Sequence, residues 1–319
     1  MMLPQSSPMP ILSLHHVTAT VDEAQPDLDF CLHALGLRLV KKTVNFDNHF
    51  VYHFYYGDER GTPGTIWTTF PYADRGVQVG TKGAGQVVVT SFSVQTGSLD
   101  VWRQRLAARG IAATDVEPRF GDPAIRFSDT SGLTFELVAT DRDRRTPWAA
   151  HDIDADAAIR GLHSVTILVR EPAKTIELLT GLLGYVVVNE TDGRIRAAVN
   201  GDAPGHYIDV AYDAAAETAV NGLGTVHHVA MAISTEQEQL ELREELIRFG
   251  CKVTEVRDRC YFKSIYFREP GHVLFEVATL APGFTADEEV SSLGRDLKLP
   301  PWEEPHRAEI EAALVPIRY

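Results

Sequence analysis

Short apolar runs with two-residue alternation dominate the chain, bounded by glycine, proline or aspartate, and longer amphipathic runs interrupt them. Residues 1–10 read as a loosely packed lead-in. Alternation over 12–20 predicts a strand, and 27–35, stopped by Gly36, a short helix. Strands are expected at 37–46, 51–56 and 65–70, with a glycine- and proline-rich turn at 57–64. This order, βαβββ, then recurs. The second pass has strand 86–94, helix 99–109 before Gly110, and strands 116–120, 124–128 and 133–140. The third has strand 161–170, helix 173–183, and strands 185–189, 195–198 and 207–211. The fourth has strand 225–233, helix 236–249, and strands 252–257, 264–268 and 272–279. Its helix is the sharpest, with Leu240, Leu242, Leu246, Ile247 and Phe249 on a broad apolar side and Glu238, Glu241, Glu244 and Arg248 charged.

Short phrases repeat along with the elements. Leu14-His15-His16-Val17-Thr18, Leu162-His163-Ser164-Val165-Thr166 and Val226-His227-His228-Val229 share one pattern. Thr134-Phe135-Glu136-Leu137 and Leu274-Phe275-Glu276-Val277 share another, echoed by Ile208-Asp209-Val210. Self-similarity of this kind marks one supersecondary unit used several times. The expected fold class is α+β: four βαβββ modules forming two paired half-barrels. The division is an N-terminal domain over 11–140 (modules about 12–75 and 84–140) and a C-terminal domain over 161–280 (about 161–212 and 225–280). Residues 141–160 read as a linker whose charges, Asp141-Arg142-Asp143-Arg144-Arg145, are merely solvated. The tail, 281–319, is expected to pack across the modules with one short helix at 305–314 and no chemistry of its own.

Composition narrows the class. With 319 residues, 44% hydrophobic and 23% charged, the chain can bury a sizeable core. No apolar run approaches the roughly 20 residues of a membrane span, and no secretory leader is evident. Three cysteines without a CxxC pair argue against a disulfide framework or a cysteine-bound zinc, and for a reducing cytoplasm. A formal charge of −14 repels polyphosphate, so nucleic acid is not an expected partner.

The recurring histidines and acids suggest a metal. Curled βαβββ units placed side by side enclose a cavity that the middles of first and last strands can both face. The fourth module offers His228 and Glu276; the first offers His16, with Thr68 or Thr69 near its acidic slot. The third offers His163 and Asp209, and the second Glu136, with Thr90 or Ser91 in the histidine slot. Two imidazoles and one carboxylate on one face of a metal leave positions open for substrate and dioxygen, as in non-haem Fe(II) oxygenases, with Mn(II) an alternative. In a regular strand His15 and His16 point to opposite faces, so both can reach the cavity only through a bulge or a strand end. Plainer readings compete: a core histidine for His163, a structural acid for Glu136, a surface ion pair for Arg259 and a core tyrosine for Tyr266. Counting residues leaves His16 or His163 as partner to His228 and Glu276.

With these residues in place the chain resembles the vicinal oxygen chelate superfamily (the glyoxalase, bleomycin resistance and dioxygenase proteins), and within it the ring-cleaving dioxygenases of hydroquinones and chlorohydroquinones. The resemblance runs from Leu14 to about Pro300. It is carried by the histidine phrases, Gly61-Thr62-Pro63-Gly64-Thr65, Arg259-Cys260-Tyr261-Phe262, Ser264-Ile265-Tyr266, Leu274-Phe275-Glu276, Gly283-Phe284-Thr285 and Ser292-Leu293-Gly294. It implies Fe(II) on His16, His228 and Glu276, with His15, Thr18, His227, Arg259 and Tyr266 lining the pocket. His227 or His15 would take a phenolic proton, and Arg259 and Tyr266 would steady the developing oxyanion or hold the second hydroxyl. Phe54, Tyr56, Trp67 and Phe262 are candidates for an apolar ring pocket. The implied partners are a small aromatic diol and dioxygen, with a homo-oligomer left open. The alternatives are a glyoxalase-like metal lyase or isomerase, a catechol extradiol enzyme using His163, and, more remotely, a protein that only sequesters an aromatic.

Overall fold

In chain order the elements are β1 (Ser13–Val21), α1 (Ala24–Asp29), β2 (Arg38–Asn45), β3 (Asn48–Gly57), β4 (Ile66–Pro71), β5 (Gln86–Val94), α2 (Leu99–Ala107), β6 (Thr114–Arg119), β7 (Asp122–Ser128) and β8 (Thr134–Ala139). The second half follows with β9 (Gly161–Val169), α3 (Ala173–Gly181), β10 (Tyr185–Thr191), β11 (Arg194–Val199), β12 (Tyr207–Tyr212), β13 (Thr225–Ile233), α4 (Glu236–Phe249), β14 (Arg257–Asp258), β15 (Lys263–Arg268), β16 (Leu274–Thr279) and α5 (Arg307–Ala313). This computed structural model describes residues 11–149 and 152–319, so the lead-in expected at 1–10 lies outside it.

The βαβββ order is present four times. Two eight-stranded sheets result, β14-β15-β16-β13-β1-β4-β3-β2 and β10-β11-β12-β9-β5-β8-β7-β6. Each is two modules joined by their first strands, antiparallel: β1 against β13, and β5 against β9. The first module therefore pairs with the fourth and the second with the third, and each sheet takes strands from both halves of the chain. A continuous core fills the space behind the sheets, where Trp67 and Phe30 meet Phe135 at ring-centroid distances of 5.0 and 5.4 Å.

Several local expectations shift. The first helix starts at Ala24, three residues early, because Pro26 sits in the first turn, where no N–H is needed. It then widens into a π turn over Phe30–Ala34, with Leu35 N–H bonding Phe30 C=O at 2.9 Å. The strand expected at 252–257 shrinks to Arg257–Asp258, with one isolated bridge from Val253 to Phe267. Helix α4 fits best, closed by a capping box between Thr235 and Glu238 and stopped by Gly250 at φ 108°.

The charges at 141–145 are not merely solvated. Arg145 is gripped by the buried Asp143 and donates to Gly64 O at 2.7 Å and Leu162 O at 2.6 Å, stitching one sheet to the other. The tail packs over the first and fourth modules, as expected of it. Lys298 N–H bonds Lys42 O at 2.9 Å, and Gly294 lies so near Leu39 O that a Cβ there would approach to 2.2 Å. Asp287 and Glu288 reach the fully buried Lys41, Asp287 at 2.6 Å. No helix among the described residues is long and apolar enough to cross a membrane.

Candidate metal centre

Strands β1 and β13 each break their alternation where the histidine doublets fall. Leu14 faces Met231 and His16 faces Ala230, so His15 is an extra residue; Thr18 faces His228 and Ala19 faces Val226, so His227 is another. These bulges bring both rings of each doublet together. His15 Nδ1 lies 2.9 Å from His16 Nδ1, and His227 Nδ1 lies 2.8 Å from His228 Nδ1.

Beyond them three atoms converge. His16 Nε2 and His228 Nε2 are 3.2 Å apart, and Glu276 Oε2 is 3.3 Å from the first and 2.8 Å from the second. All three side chains are buried, and no other His, Cys, Asp or Glu cluster of this kind occurs among the described residues. Glu276 Oε2 nonetheless makes no hydrogen bond, its other oxygen being held by Ser264. If His16 and His228 each donate Nδ1–H to the outer histidine, both Nε2 atoms present lone pairs. Two lone pairs and a carboxylate oxygen facing one another in a dry pocket fit a divalent cation. Burial alone would raise the Glu276 carboxyl; imidazoles that carry protons towards it reverse this and hold it well below the usual range, and a cation taking the place of those protons would do the same. Burial, then the neighbouring His16 or His228, pushes His15 and His227 down to about 3, so both are neutral.

The cluster forms the base of a cavity of about 350 Å³. His227, Arg259 and Tyr266 border it. His15 and Thr18 do not: His15 is buried behind His16, and Thr18 lies under the floor, accepting from Thr68 Oγ1 at 2.9 Å. Arg259 donates Nε–H to Tyr266 Oη at 2.9 Å and reaches Asp47 at 3.4 Å across the mouth. Burial opposes the guanidinium's charge, but Tyr266 and Glu276 outweigh it and raise its pKa, while burial raises the Tyr266 phenol. Of the aromatic candidates only Phe262 borders the cavity, packing on both His15 and His16 with centroids 5.0 and 5.2 Å away. Phe54, Tyr56 and Trp67 point to the core; Tyr55 and Phe70, from the opposite faces of the same strands, line the cavity instead. His53 was not anticipated either.

His163 takes no part. It lies in the other sheet, and β9 aligned on β1 puts His163 at the bulge of His15 and Ser164 where His16 stands. The histidine slot of the second module is Val89, facing Thr166 as His228 faces Thr18, rather than Thr90 or Ser91. Glu136 keeps the acidic position but is neutralised by Arg126 at 2.6 Å, and Asp209 by Arg196 at 2.7 Å. The corresponding cavity has collapsed to about 20 Å³.

Known proteins resemble the chain over nearly its whole length. Residues 161–277 match the Glyoxalase/Bleomycin resistance protein/Dioxygenase superfamily. The chain is 41% identical to "Putative ring-cleaving dioxygenase MhqO" of Bacillus subtilis over 96% of each chain. It is 33% identical to "Chlorohydroquinone/hydroquinone 1,2-dioxygenase" of Sphingobium indicum over 92% of this chain and 93% of that one. The crystal structure of a "putative dioxygenase" from Bacillus subtilis superposes with a TM-score of 0.92 at 40% identity, covering 97% of this chain and 98% of that one. Glyoxalase I of Zea mays shares the fold, with a TM-score of 0.62 at 13% identity, over 84% of this chain and 92% of its own. The chain is a member of the glyoxalase/bleomycin resistance protein/dioxygenase superfamily and, within it, an oxidoreductase of the ring-cleaving dioxygenase kind.

Proposed function

We propose that His16, His228 and Glu276 hold Fe(II), with Mn(II) the alternative occupant, and that the enzyme opens hydroquinone or a substituted hydroquinone in extradiol fashion, adding both atoms of dioxygen. The observation that carries this is the convergence of three metal-ligating atoms, two imidazole Nε2 and one carboxylate oxygen, at the base of a cavity sized for one ring. A two-histidine, one-carboxylate set with open positions suits dioxygen chemistry better than the more oxygen-rich set wanted by a glyoxalase-like reaction. A metal held by His16, His228 and Glu276 would supply Lewis acidity towards a phenolic oxygen and redox access to dioxygen.

The chain's own groups do the rest. His15 and His227 fix the tautomers of His16 and His228. Accepting at Nδ1 leaves each outer histidine with its proton on Nε2, so His227, which borders the cavity, donates to developing negative charge rather than serving as the base first expected of it. Tyr266, its oxygen already accepting from Arg259, turns its own proton to the same region, and the Arg259 charge stabilises an oxyanion there. Phe262 and Phe70 exclude water from the ring. Thr18 supports the floor. Three cysteines without a CxxC pair suit a cytoplasmic enzyme.

Metal content and oxygen uptake with hydroquinone, after anaerobic reconstitution with Fe(II), test this. Wild type and His163→Ala should retain both; His16→Ala should lose both; chelation should abolish uptake. Iron retained in His16→Ala and lost in His163→Ala would overturn the ligand assignment. No uptake by wild type with any aromatic diol would sink the dioxygenase reading.

A further inference from the structure

The walls flanking the metal cluster differ. In the sheet order β14-β15-β16-β13-β1-β4-β3-β2 the three ligands stand on adjacent strands β16, β13 and β1. On one side Tyr266 faces Glu276 across β15 and β16, bringing Arg259 with it: a wall of donors close to the metal. On the other side, two strands beyond β1, β3 presents His53.

The His53 ring is fixed in place. It packs on Tyr55 and Phe70 with centroids 4.0 and 4.3 Å away, and its Nε2 lies 2.9 Å from Thr68 Oγ1. Thr68 spends its one hydroxyl proton on Thr18, so Nε2 must donate to Thr68. In a neutral imidazole that leaves Nδ1 a lone pair. Nδ1 has no hydrogen-bond partner among the described residues, and the ring borders the cavity. Lysine and arginine donors abound in proteins, but a buried neutral acceptor aimed at open space suits a ligand O–H.

Resting on the dioxygenase reading above, we infer that His53 Nδ1 accepts the substrate hydroxyl remote from the metal, and so selects rings hydroxylated at the opposite carbon. Neighbouring strands lie about 4.8 Å apart, so β3 stands roughly 10 Å from β1 before side chains and curling narrow the gap. A ring held by one oxygen at the cluster can reach that wall only with a substituent across from it. A neighbouring hydroxyl, as in catechol, stays near Arg259 and Tyr266 and gains nothing from His53. Thr68 is a positioning residue, since it sets which nitrogen of His53 carries the proton.

The test is anaerobic binding to the metal-loaded enzyme, with hydroquinone, 4-fluorophenol (similar in size but with no proton to donate at the far carbon) and catechol as probes. Wild type should prefer hydroquinone to 4-fluorophenol by roughly three- to tenfold, the worth of one such hydrogen bond. His53→Leu should erase the preference by weakening hydroquinone alone, with catechol and metal content unchanged. His53→Gln, whose carbonyl can accept, should restore part of it. Thr68→Val should also reduce the preference, and it carries the test if His53→Leu fails to load metal. Should wild type turn over hydroquinone while the hydroquinone to 4-fluorophenol ratio is the same in every variant, only the His53 assignment falls. Wild type that binds neither phenol and consumes no oxygen would overturn the dioxygenase reading and this assignment together.

Discussion

Asp27 sits on α1, behind the cavity floor, where its carboxylate accepts from Tyr56 Oη at 2.8 Å and Thr69 Oγ1 at 2.6 Å. Burial outweighs these bonds and raises its pKa from 3.8 to about 7. The folded state therefore holds a proton that the unfolded chain gives up near pH 4. Stability is fully present below that point, declines by about 1.4 kcal/mol per unit as pH rises towards 7, and levels off above. Asn in its place keeps the accepting oxygen and carries no charge. Asp27→Asn should match wild type in urea at pH 4 and exceed it by about 1–3 kcal/mol at pH 8. Equal midpoints at both pH values would remove Asp27 as the cause. At this scale the three converging donors were legible because each stands in a repeated phrase. His53 and Tyr55 were not, because 51–56 is apolar or aromatic on both faces, and alternation cannot say which face is inward when both are buried.

At the scale of elements, helices and strand order were readable from period alone, while the bulges were not. A bulge adds one residue without altering composition, yet it decides where a doublet points. His15→Ala keeps the bulge and loses only the support to His16, so metal affinity should fall about 10- to 100-fold. Deleting His15 removes the bulge and turns one side of the strand over, which should abolish metal binding altogether. Metal titration of the two variants separates these outcomes; equal affinities would mean that the bulge is immaterial. The same blindness explains His163, which looks like a ligand until the register puts it at the bulge and Ser164 at the slot. At 141–145 a run of alternating charges gives no hint that Arg145 bridges two backbone carbonyls.

For the whole molecule, the pairing of first with fourth module leaves the seam of β1 and β13 and the tail to hold the catalytic sheet together. Lys41 has a fully buried side chain whose charge is met by two acids of the tail, Asp287 and Glu288, and by the face of the Tyr261 ring at 4.7 Å. Neutralising both acids, Asp287→Asn with Glu288→Gln, should cost about 3–5 kcal/mol by stranding a buried charge. Adding Lys41→Met should recover most of that loss, as read from denaturant midpoints; no recovery would place the damage elsewhere. The pairing itself could not be counted out of the sequence, since either partner for the fourth module satisfied the spacing. His16 and His228 are 212 residues apart, so at ribosomal speeds of about 5–20 residues per second β1 waits roughly 10–40 s for its neighbour. The inner two modules can close on each other while the outer strand is still unmatched. A nascent or truncated chain thus carries histidines but not the three-residue cluster, which comes together only on a finished protein.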